Sequence, residues 1–375
     1  MRVLMSGGGT AGHVYPALTV ADRFADAPDE VLFVGTPNGL EARLVPEAGV
    51  EFLPLKASGY DRGRPLTLLT SIPRIGLSTI TAWRWFGRSR PDVVIGFGGY
   101  VSIPVGLAAV MRGIPLVLHE QNSVPGLANK ILSRWARAVG VTYEESAAGL
   151  AHSERAVVTG NPVRPAVLNA SRERGRDALD LPADALVMLV FGGSRGARHL
   201  NSAVVGLRDR LMAIPELRVV HVAGAAEVQS VRAALKAAGG DCNGRWQVLD
   251  YLNDMGSALM ASDLVVARAG ATSIAEITAL GLPAVLVPFP FATEDHQTKN
   301  AAAMVARGAA ELVPDSELDD ERFGDIVCGL LSDAGRRASM AAASRSLGRP
   351  DAADRVASLA RQAAGKPPVA RAIDS

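Results

Sequence analysis

The sequence predicts an α/β protein built from two doubly wound, Rossmann-like domains. Short β-branched apolar runs alternate with helical patterns along the chain, as in parallel sheets covered by helices. A strand that leads into a glycine turn and a helix occurs twice, at residues 2–26 and again from residue 186, and turn-rich residues 159–165 separate the two. We therefore expect a first domain at 1–162, a second at 163–348, and a C-terminal segment at 349–375.

Composition restricts the class of protein. The 375 residues suffice for two hydrophobic cores, and a formal net charge of +1 gives no reason to expect nucleic acid as a partner. Cys242 and Cys328 lack metal-ligand spacing and indicate no disulfide framework, which fits a reducing cytosol. The start of the chain does not resemble a signal peptide, and no run reaches about 18 apolar residues, so any membrane contact is expected to be peripheral.

Polar turns follow several of the strands predicted in the first domain. The glycines of Gly7–His13 have the spacing of a dinucleotide-binding turn, but the next strand ends in Gly35 and Thr36 without an acid for a ribose, which argues against a nicotinamide cofactor. His13 precedes a helix predicted over Tyr15–Asp26 and is either a polar helix-terminal residue or a catalytic group. The seven strands predicted in this domain are Arg2–Ser6, Val31–Val34, Glu51–Leu55, Asp92–Gly96, Leu116–His119, Ala138–Thr142 and Ala156–Thr159.

Two further turns carry unusual residues. Phe97–Tyr100 forms a second glycine turn, and the four polar residues His119–Asn122 follow a buried strand. Ligands of open α/β sheets collect at the carboxyl ends of strands, so both turns are candidate binding elements.

The segment Lys56–Pro91 differs from its surroundings. It holds seven basic residues against one acid, and apolar residues that include Trp83, Trp85 and Phe86 lie between them. Such a pattern occurs in peripheral contacts with anionic lipid, but on this segment alone a core helix with a solvated basic face is the favoured interpretation.

The second domain contains the most informative stretch, Ser262–Asn300. A strand, a glycine turn, small residues at a helix start, a helix over Ile274–Leu280 and a second strand form a βαβ unit. Its crevice carries an acid, a helix N-terminus and a carboxamide, which suit ribose hydroxyls, a diphosphate and a sugar; an ordinary crossover with a polar rim is the alternative. The strands predicted here are Leu186–Phe191, Val219–Val222, Gln247–Leu249, Leu264–Ala267 and Ala284–Phe289, with helices at Asn253–Ala261 and Asp351–Ala364 and a disordered tail at Lys366–Ser375.

Six motifs, in order along the chain, resemble those of the MurG family of bacterial peptidoglycan glycosyltransferases: GGGTAGHVYPA at 7–17, GFGGYVS at 96–102, HEQN at 119–122, GNPVR at 160–164, GGSRGA at 192–197 and the block at 268–300. The resemblance covers roughly residues 1–350. It implies the GT-B arrangement, in which two Rossmann-like domains face a cleft. It also implies inverting transfer of N-acetylglucosamine from UDP-N-acetylglucosamine to the 4-hydroxyl of the muramoyl sugar of undecaprenyl-diphosphate-linked lipid I, which makes lipid II for peptidoglycan.

The resemblance further implies no metal and no cofactor, a peripheral location at the cytoplasmic face of the cell membrane, and a donor site mainly in the second domain. It favours membrane contact for Lys56–Pro91 and packing of the C-terminal helix on the first domain. In the donor site, Glu276 would bind the ribose, the turn Ala271, Thr272 and Ser273 the diphosphate with a contact from Ser194, and Gln297 the sugar hydroxyls. Arg164 and the backbone of Leu252 would flank the uracil, and Ile274 and Ala275 belong to the same substrate-binding set. The first domain would contact the transferred sugar through Thr10, Ala11, Gly12 and Asn122, and the lipid-linked acceptor through His13, Gly98, Gly99, Tyr100 and His119.

The resemblance makes His13 the expected general base, with His119 as its rival. Two departures from the family pattern stand out: Ala11 replaces a more usual glycine, and Gln297 lacks a paired glutamine. Two alternative functions stay open. One is another GT-B UDP-sugar enzyme, either a glycolipid glycosyltransferase or a UDP-sugar epimerase; the other is a non-catalytic nucleotide-sugar-binding module.

Overall fold

The computed structural model describes residues 1–25, 29–57, 67–193, 197–239 and 242–368, with the backbone alone for residues 67–71 and 243. The described residues form two compact units. The first unit comprises Met1–Arg164 and Arg349–Ser375, and the second comprises Pro165–Gly348. Of the tail expected to be disordered, residues 369–375 lie outside the described residues.

The sheet of the first unit is parallel throughout. As far as the chain is described, its strands are β1 (Arg2–Ser6), β2 (Glu30–Gly35), β3 (Glu51–Pro54), β4 (Val93–Gly96), β5 (Leu116–Glu120), β6 (Ala138–Val141) and β7 (Ala156–Val158). They are ordered β3-β2-β1-β4-β5-β6-β7. The order reverses between β1 and β4, so the loops after these strands leave a crevice at the carboxyl edge.

Helices cover both faces of this sheet. They are α1 (Ala11–Ala21), α2 (Glu41–Glu47), α3 (Thr67–Ser89), α4 (Ser102–Met111) and α5 (Leu127–Leu132). Ala82 of α3 and Val105 of α4 lie in the core on one face, and Ala17 and Val20 of α1 lie in the core on the other. Strands covered on both faces need continuous apolar runs, and β1 accordingly buries Val3–Met5 completely.

The second unit repeats this plan. Its described parallel strands are β8 (Leu186–Phe191), β9 (Leu217–Val222), β10 (Trp246–Leu249), β11 (Leu264–Arg268), β12 (Ala284–Val287) and β13 (Ala310–Leu312), ordered β10-β9-β8-β11-β12-β13. The switch point lies between β8 and β11. The helices are α6 (Pro165–Leu168), α7 (Arg172–Ala178), α8 (Arg198–Gly206), α9 (Arg208–Met212), α10 (Val228–Ala237), α11 (Met255–Ala261), α12 (Ala271–Leu280), α13 (His296–Ala306), α14 (Glu321–Ser332) and α15 (Ala334–Leu347).

A last helix, α16 (Ala352–Ala363), belongs to the first unit. Its Val356, Ala357 and Ala360 are fully buried in the same core cluster as Val3 of β1. Small alanine side chains let this helix approach the sheet closely, and Arg361 forms an ion pair with the buried Asp29. The first sheet is therefore completed by residues from both ends of the chain.

The structure confirms the predicted fold class of two Rossmann-like domains and corrects several element bounds. Helix α1 begins at Ala11, four residues before the predicted start, because Thr10 is already an extended N-cap. Strand β12 ends at Val287 instead of Phe289, since Pro288 has no N–H to donate to a neighbouring strand. The short edge strand β13 was not predicted, because its three residues, one of them charged, give no apolar run.

Candidate functional site

The first glycine turn places Thr10, Ala11 and Gly12 at the N-terminus of α1. Gly9 has a φ of +83°, and Thr10 is extended at the N-cap without a side-chain capping bond. The amides of Ala11 and Gly12 therefore have no partner within the helix and can donate to a ligand. Ala11 is helical with negative φ, so its methyl group causes no backbone strain at this position.

His13 is half-buried in the first turn of α1, and its ring is fixed by the turn. Its Nδ1 lies 2.9 Å from the carbonyl oxygen of Gly8 and 3.2 Å from Oγ1 of Thr10. A carbonyl oxygen only accepts, so Nδ1 carries the proton and the neutral ring has its lone pair on Nε2. The turn therefore selects the tautomer that a general base needs.

The second glycine turn packs directly against the first. Gly98 and Gly99 have φ values of +95° and +80°. A Cβ on Gly99 would lie 2.6 Å from the oxygen of Gly8, and a Cβ on Gly98 would lie 3.2 Å from Nε2 of His13. Glycine is thus required at both positions, and the structure brings His13, Gly98 and Gly99 together. Tyr100, the next residue, is 45% exposed.

Glu41, at the start of α2, is a site residue that sequence reasoning missed. It is fully buried, and its Oε2 accepts a hydrogen bond from the backbone N–H of Gly9 at 3.2 Å. Its Oε1 accepts from the N–H and the hydroxyl of Thr36 at 2.9 and 2.6 Å. No acid stands at the end of β2, but Glu41, six residues after that end, contacts the first glycine turn instead.

His119 has no exposed surface, and both of its ring nitrogens are used. Nε2 donates to the carbonyl oxygen of Gly160 at 3.0 Å, and Nδ1 accepts from Nε2 of Gln121 at 3.2 Å. Burial lowers the pKa of His119 to about 4, and electrostatic repulsion from His13 acts in the same direction. This histidine is neutral at working pH and connects the end of β5 to the end of β7.

Glu120 and Asn122 shape the loop after β5. Buried Glu120 accepts from the N–H of Asn122 at 3.0 Å, from the N–H of Gly126 at 2.9 Å and from Nδ2 of Asn129 at 2.8 Å. Asn122 is half-buried, and its carbonyl oxygen accepts from the hydroxyl of Ser146 at 2.8 Å. The loop that presents Asn122 is therefore held by a buried carboxylate.

Arg164 is the last residue of the first unit before the chain passes into the second. Its guanidinium carbon lies 4.7 Å from the centre of the Tyr15 ring in α1, a cation–π contact. The structure thus places Arg164 beside the helix that carries His13.

In the second unit, the N-terminus of α12 lies after β11 at the switch point. Gly270 is extended at the N-cap and makes no side-chain capping bond, so the first-turn amides of Ala271, Thr272 and Ser273 have no partner within the helix. Oγ1 of Thr272 is buried and forms no hydrogen bond with a described residue. Amides at a helix N-terminus are suited to an anion, so this helix start stays the candidate diphosphate site, with Ile274 and Ala275 in the following turn.

Glu276 and Gln297 lie in the elements that flank this helix start. Glu276 is only 4% exposed, which excludes the reading of a solvent-facing helix residue. Oε1 of Gln297, in α13, accepts from the N–H of Phe289 at 2.9 Å, so its Nε2 is the part of the amide left for a sugar hydroxyl. Leu252 is half-buried in the loop after β10, and Ser194 lies outside the described residues.

A partly buried charge cluster lies at the end of the strand that leads to α12. Arg268, the last residue of β11, pairs with Asp315 at 2.5 Å, and Asp315 also bonds Nδ1 of His199 at 2.8 Å. The hydrogen bond to Asp315 raises the pKa of His199. Burial raises the pKa of Asp315, but hydrogen bonds and charge from His199 and Arg268 outweigh it and hold that pKa low.

Helix α3 presents an exposed face that mixes apolar and basic side chains. Leu77 and Ile80 are 68% and 46% exposed, and Arg84 and Arg88 are also exposed. Positions 77, 80, 84 and 88 recur every three or four residues and so share one side of the helix. The tryptophans instead pack against the core, with Arg112 stacked 3.7 Å from the ring of Trp83. Trp83 and Trp85 are half-buried, so the exposed face of α3 is formed by other residues of the Lys56–Pro91 segment.

Two features are missing from the part of the chain that the structure describes. No helix there is both long and apolar enough to cross a membrane. No three or more His, Cys, Asp or Glu side chains in that part of the chain are grouped so that they could hold a metal ion.

Both units match family models of glycosyltransferases. Residues 3–141 match the glycosyltransferase family 28 N-terminal domain, and residues 187–356 match the family 28 C-terminal domain. A relative from Desulforudis audaxviator is 43% identical over 98% of this chain and 99% of its own length. A second, from Desulfitobacterium hafniense, is 43% identical over 98% of this chain and 100% of its own. Both are named UDP-N-acetylglucosamine--N-acetylmuramyl-(pentapeptide) pyrophosphoryl-undecaprenol N-acetylglucosamine transferase.

Solved structures with the same fold include MurG of Acinetobacter baumannii. It has a TM-score of 0.76 and 31% identity, and the match covers 96% of this chain and 99% of that one. A UDP-N-acetylglucosamine 2-epimerase from Listeria monocytogenes, described as putative, has a TM-score of 0.68 at 16% identity over 96% of both chains. At that identity the second match shows the fold alone.

Proposed function

Because the chain belongs to glycosyltransferase family 28, in both its N-terminal and its C-terminal domain, we propose that it transfers N-acetylglucosamine from UDP-N-acetylglucosamine to the muramoyl sugar of a pentapeptide-bearing, undecaprenol-linked acceptor. The observation that carries this proposal is the 43% identity to relatives of that name over nearly the full length of both chains. The product is lipid II, made for peptidoglycan synthesis.

Donor binding is assigned to the second unit. The diphosphate accepts hydrogen bonds from the free amides of Ala271–Ser273 and from the unpartnered hydroxyl of Thr272, while the dipole of α12 offsets its charge. Glu276 accepts from the ribose hydroxyls, and Nε2 of Gln297 donates to the sugar. These contacts stabilise the charge that builds up on UDP as it leaves.

The chemical step is assigned to His13. Its Nε2 takes the proton from the 4-hydroxyl of the acceptor as the oxygen attacks C1 of N-acetylglucosamine, and the bond from C1 to the diphosphate oxygen breaks. The attack comes from the side opposite UDP, so the anomeric centre inverts. His119 cannot take this role while both of its nitrogens are hydrogen-bonded inside the core.

Membrane contact is assigned to the exposed face of α3 formed by Leu77, Ile80, Arg84 and Arg88. The acceptor is anchored in a bilayer, and a face that mixes apolar and basic side chains suits an anionic lipid surface. We therefore place the enzyme peripherally, at the cytoplasmic side of the cell membrane.

The test is a transfer assay with labelled UDP-N-acetylglucosamine and a short-chain lipid I analogue. A labelled disaccharide-lipid product is expected, at the same initial rate with and without EDTA, since amides and a helix dipole offset the diphosphate charge. A parallel reaction without acceptor, followed by NMR of the UDP-sugar, tests the epimerase alternative. Epimerised donor without transfer would overturn the proposal, and tight UDP binding without either reaction would favour a binding module.

A further inference from the structure

The peptide bond between Gly8 and Gly9 lies between two functional side chains. On one edge its N–H donates to Oε2 of Glu41 at 3.2 Å. On the other edge its carbonyl oxygen accepts from Nδ1 of His13 at 2.9 Å. A trans peptide holds its N–H and C=O antiparallel, so a single planar group connects the carboxylate to the imidazole.

The glycines around Glu41 leave room for its carboxylate and for no further side chain. Its side chain is fully buried, and a Cβ on Gly8 or Gly39 would lie 2.3 Å from a carboxylate oxygen. None of the described Lys, Arg or His side chains forms an ion pair with Glu41, so its charge acts on the donors of Gly9 and Thr36. A buried carboxylate without a cation has a strong effect on the dipoles it contacts.

We propose that Glu41 is a positioning residue for His13 and acts on it through the Gly8–Gly9 peptide bond, an inference that rests on the proposed function. The carboxylate polarises the peptide, which makes the carbonyl oxygen of Gly8 a stronger acceptor for Nδ1–H of His13. The Nδ1–H tautomer and the imidazolium formed on proton uptake are both stabilised. The arrangement is a carboxylate–histidine pair with a peptide bond inserted between its members.

Other ionisable groups near His13 do not provide this effect. His119 interacts with it electrostatically but stays neutral above about pH 4. Arg164, stacked on Tyr15 of the same helix, carries positive charge and opposes an imidazolium. Gly98 and Gly99, on the packed turn after β4, have no side chain.

The experiment is a double-mutant cycle on transfer rate. Glu41→Gln should lower kcat about 10- to 100-fold, the usual effect of losing a carboxylate behind a functional histidine, while UDP affinity stays unchanged. In the His13→Ala background the same substitution should cost less than about twofold, because the group it acts on is gone. Equal losses in both backgrounds would show that Glu41 only supports the fold of the turn and would overturn the inference.

Two further measurements distinguish a positioning role of Glu41 toward His13 from a role in the fold of the turn alone. In the pH–rate profile, Glu41→Gln should move the acidic limb to lower pH, and Glu41→Asp, which keeps the charge, should restore part of the wild-type position. Glu120→Gln is the matched control: it alters an equally buried carboxylate that binds backbone N–H groups of another loop. Whatever it does to the rate, its acidic limb should stay in place. A limb that moves equally in both variants would contradict the inference.

The tautomer of His13 can be determined without an activity assay, from long-range ¹H–¹⁵N NMR spectra. The signals of His13 are assigned by their loss in His13→Ala. Wild type should show the Nδ1–H form, and Glu41→Gln a mixture of both tautomers. If Glu41→Gln keeps the same tautomer as wild type, the inference is wrong. If instead the tautomer shifts but His13→Ala transfers sugar at the wild-type rate, the proposed role of His13 fails and the structural coupling stands. Should Glu41→Gln not fold, Glu41→Asp replaces it in both readouts: its carboxylate is one methylene shorter and lies farther from Gly9, so the acidic limb and the tautomer should shift in the same direction but by less, and no shift in either would contradict the inference.

Discussion

At the scale of single residues, hydrogen bonding determines which of the two histidines of the candidate acceptor site has a ring nitrogen available to accept a proton. Each donates one ring N–H to a backbone carbonyl, His13 through Nδ1 and His119 through Nε2. The remaining nitrogen of His119 accepts from Gln121 inside the core, whereas Nε2 of His13 lies beside Gly98, a position without a side chain. Only one of the two is therefore placed to accept a proton from a substrate.

We expect His13→Ala to lower kcat by about 10²–10⁴, the usual cost of losing a general base. UDP affinity, measured by calorimetry, should not change, since the donor contacts are assigned to the second unit. The comparison variant is His119→Gln, which should lose stability more than turnover. A smaller rate loss in His13→Ala than in His119→Gln, or a wild-type pH–rate profile without an acidic limb, would move the role away from His13.

Glu276 is expected to recognise the ribose. Glu276→Ala should weaken UDP binding about 30-fold, which corresponds to about 2 kcal/mol for charge-assisted hydrogen bonds. Wild type should also bind 2′-deoxy-UDP more weakly than UDP, and the variant should bind both alike. Glu311→Ala removes a carboxylate of the same unit that pairs with Arg336, and it should leave UDP affinity intact. Unchanged UDP affinity in Glu276→Ala would remove this residue from the ribose site.

At the scale of elements, helix α3 has two sides of different character. Phe86 and Ala82 are buried in the core, while Leu77, Ile80, Arg84 and Arg88 are turned outward. A purely solvated helix face gains nothing from exposing leucine and isoleucine among its charges.

The double variant Arg84→Glu/Arg88→Glu should bind less to vesicles that contain anionic lipid, because each basic side chain near such a surface contributes about 1 kcal/mol. Wild-type binding should weaken with salt and require anionic lipid, and UDP affinity should be the same in both proteins. Lys236→Glu/Arg307→Glu makes the same change of charge at exposed positions of the second unit and should bind vesicles like wild type. Equal binding by both double variants would show that the face of α3 is only solvated.

Elements that bury an apolar run could be predicted from the sequence, and elements defined by tertiary contacts could not. The continuous run of β1 predicts its bounds, whereas β13 is recognisable only by its pairing with β12. Among site residues, the glycine turns and His13 were found from local spacing. Glu41 was missed because only the fold brings its carboxylate to Gly9, 32 residues away, and the ring of His119 bonds the carbonyl oxygen of Gly160, 41 residues away.

At the scale of the whole molecule, each unit contains a histidine that is kept neutral. Burial lowers the pKa of His119 in the first unit and of His221 in the second to about 4, below the ordinary 6.5. Between these values the unfolded chain binds more protons than the native one, so stability increases with pH across this window. The difference corresponds to about 3 kcal/mol per group.

Thermal unfolding midpoints should therefore fall as the pH is lowered from 6.5 towards 4. Carboxylates with a lowered pKa, such as Asp315, destabilise the fold only below their ordinary range near 3.8, so their effect comes later in the titration. His221→Gln removes one of these two histidines. The unfolding midpoint of the second unit should then fall less steeply as the pH is lowered. A midpoint that is constant from pH 6.5 to 4.5 in wild type would contradict the burial of neutral histidines.

The position of α16 also has a consequence for how the chain is made. A ribosome delivers the second unit, Pro165–Gly348, as one continuous segment that can complete its sheet while synthesis continues. The first unit, although 164 of its residues emerge earlier, lacks Val356, Ala357 and Ala360 of its core until α16 has been translated. The domain that is begun first is therefore the one finished last, and during elongation it exposes the apolar surface around Val3 that α16 later covers.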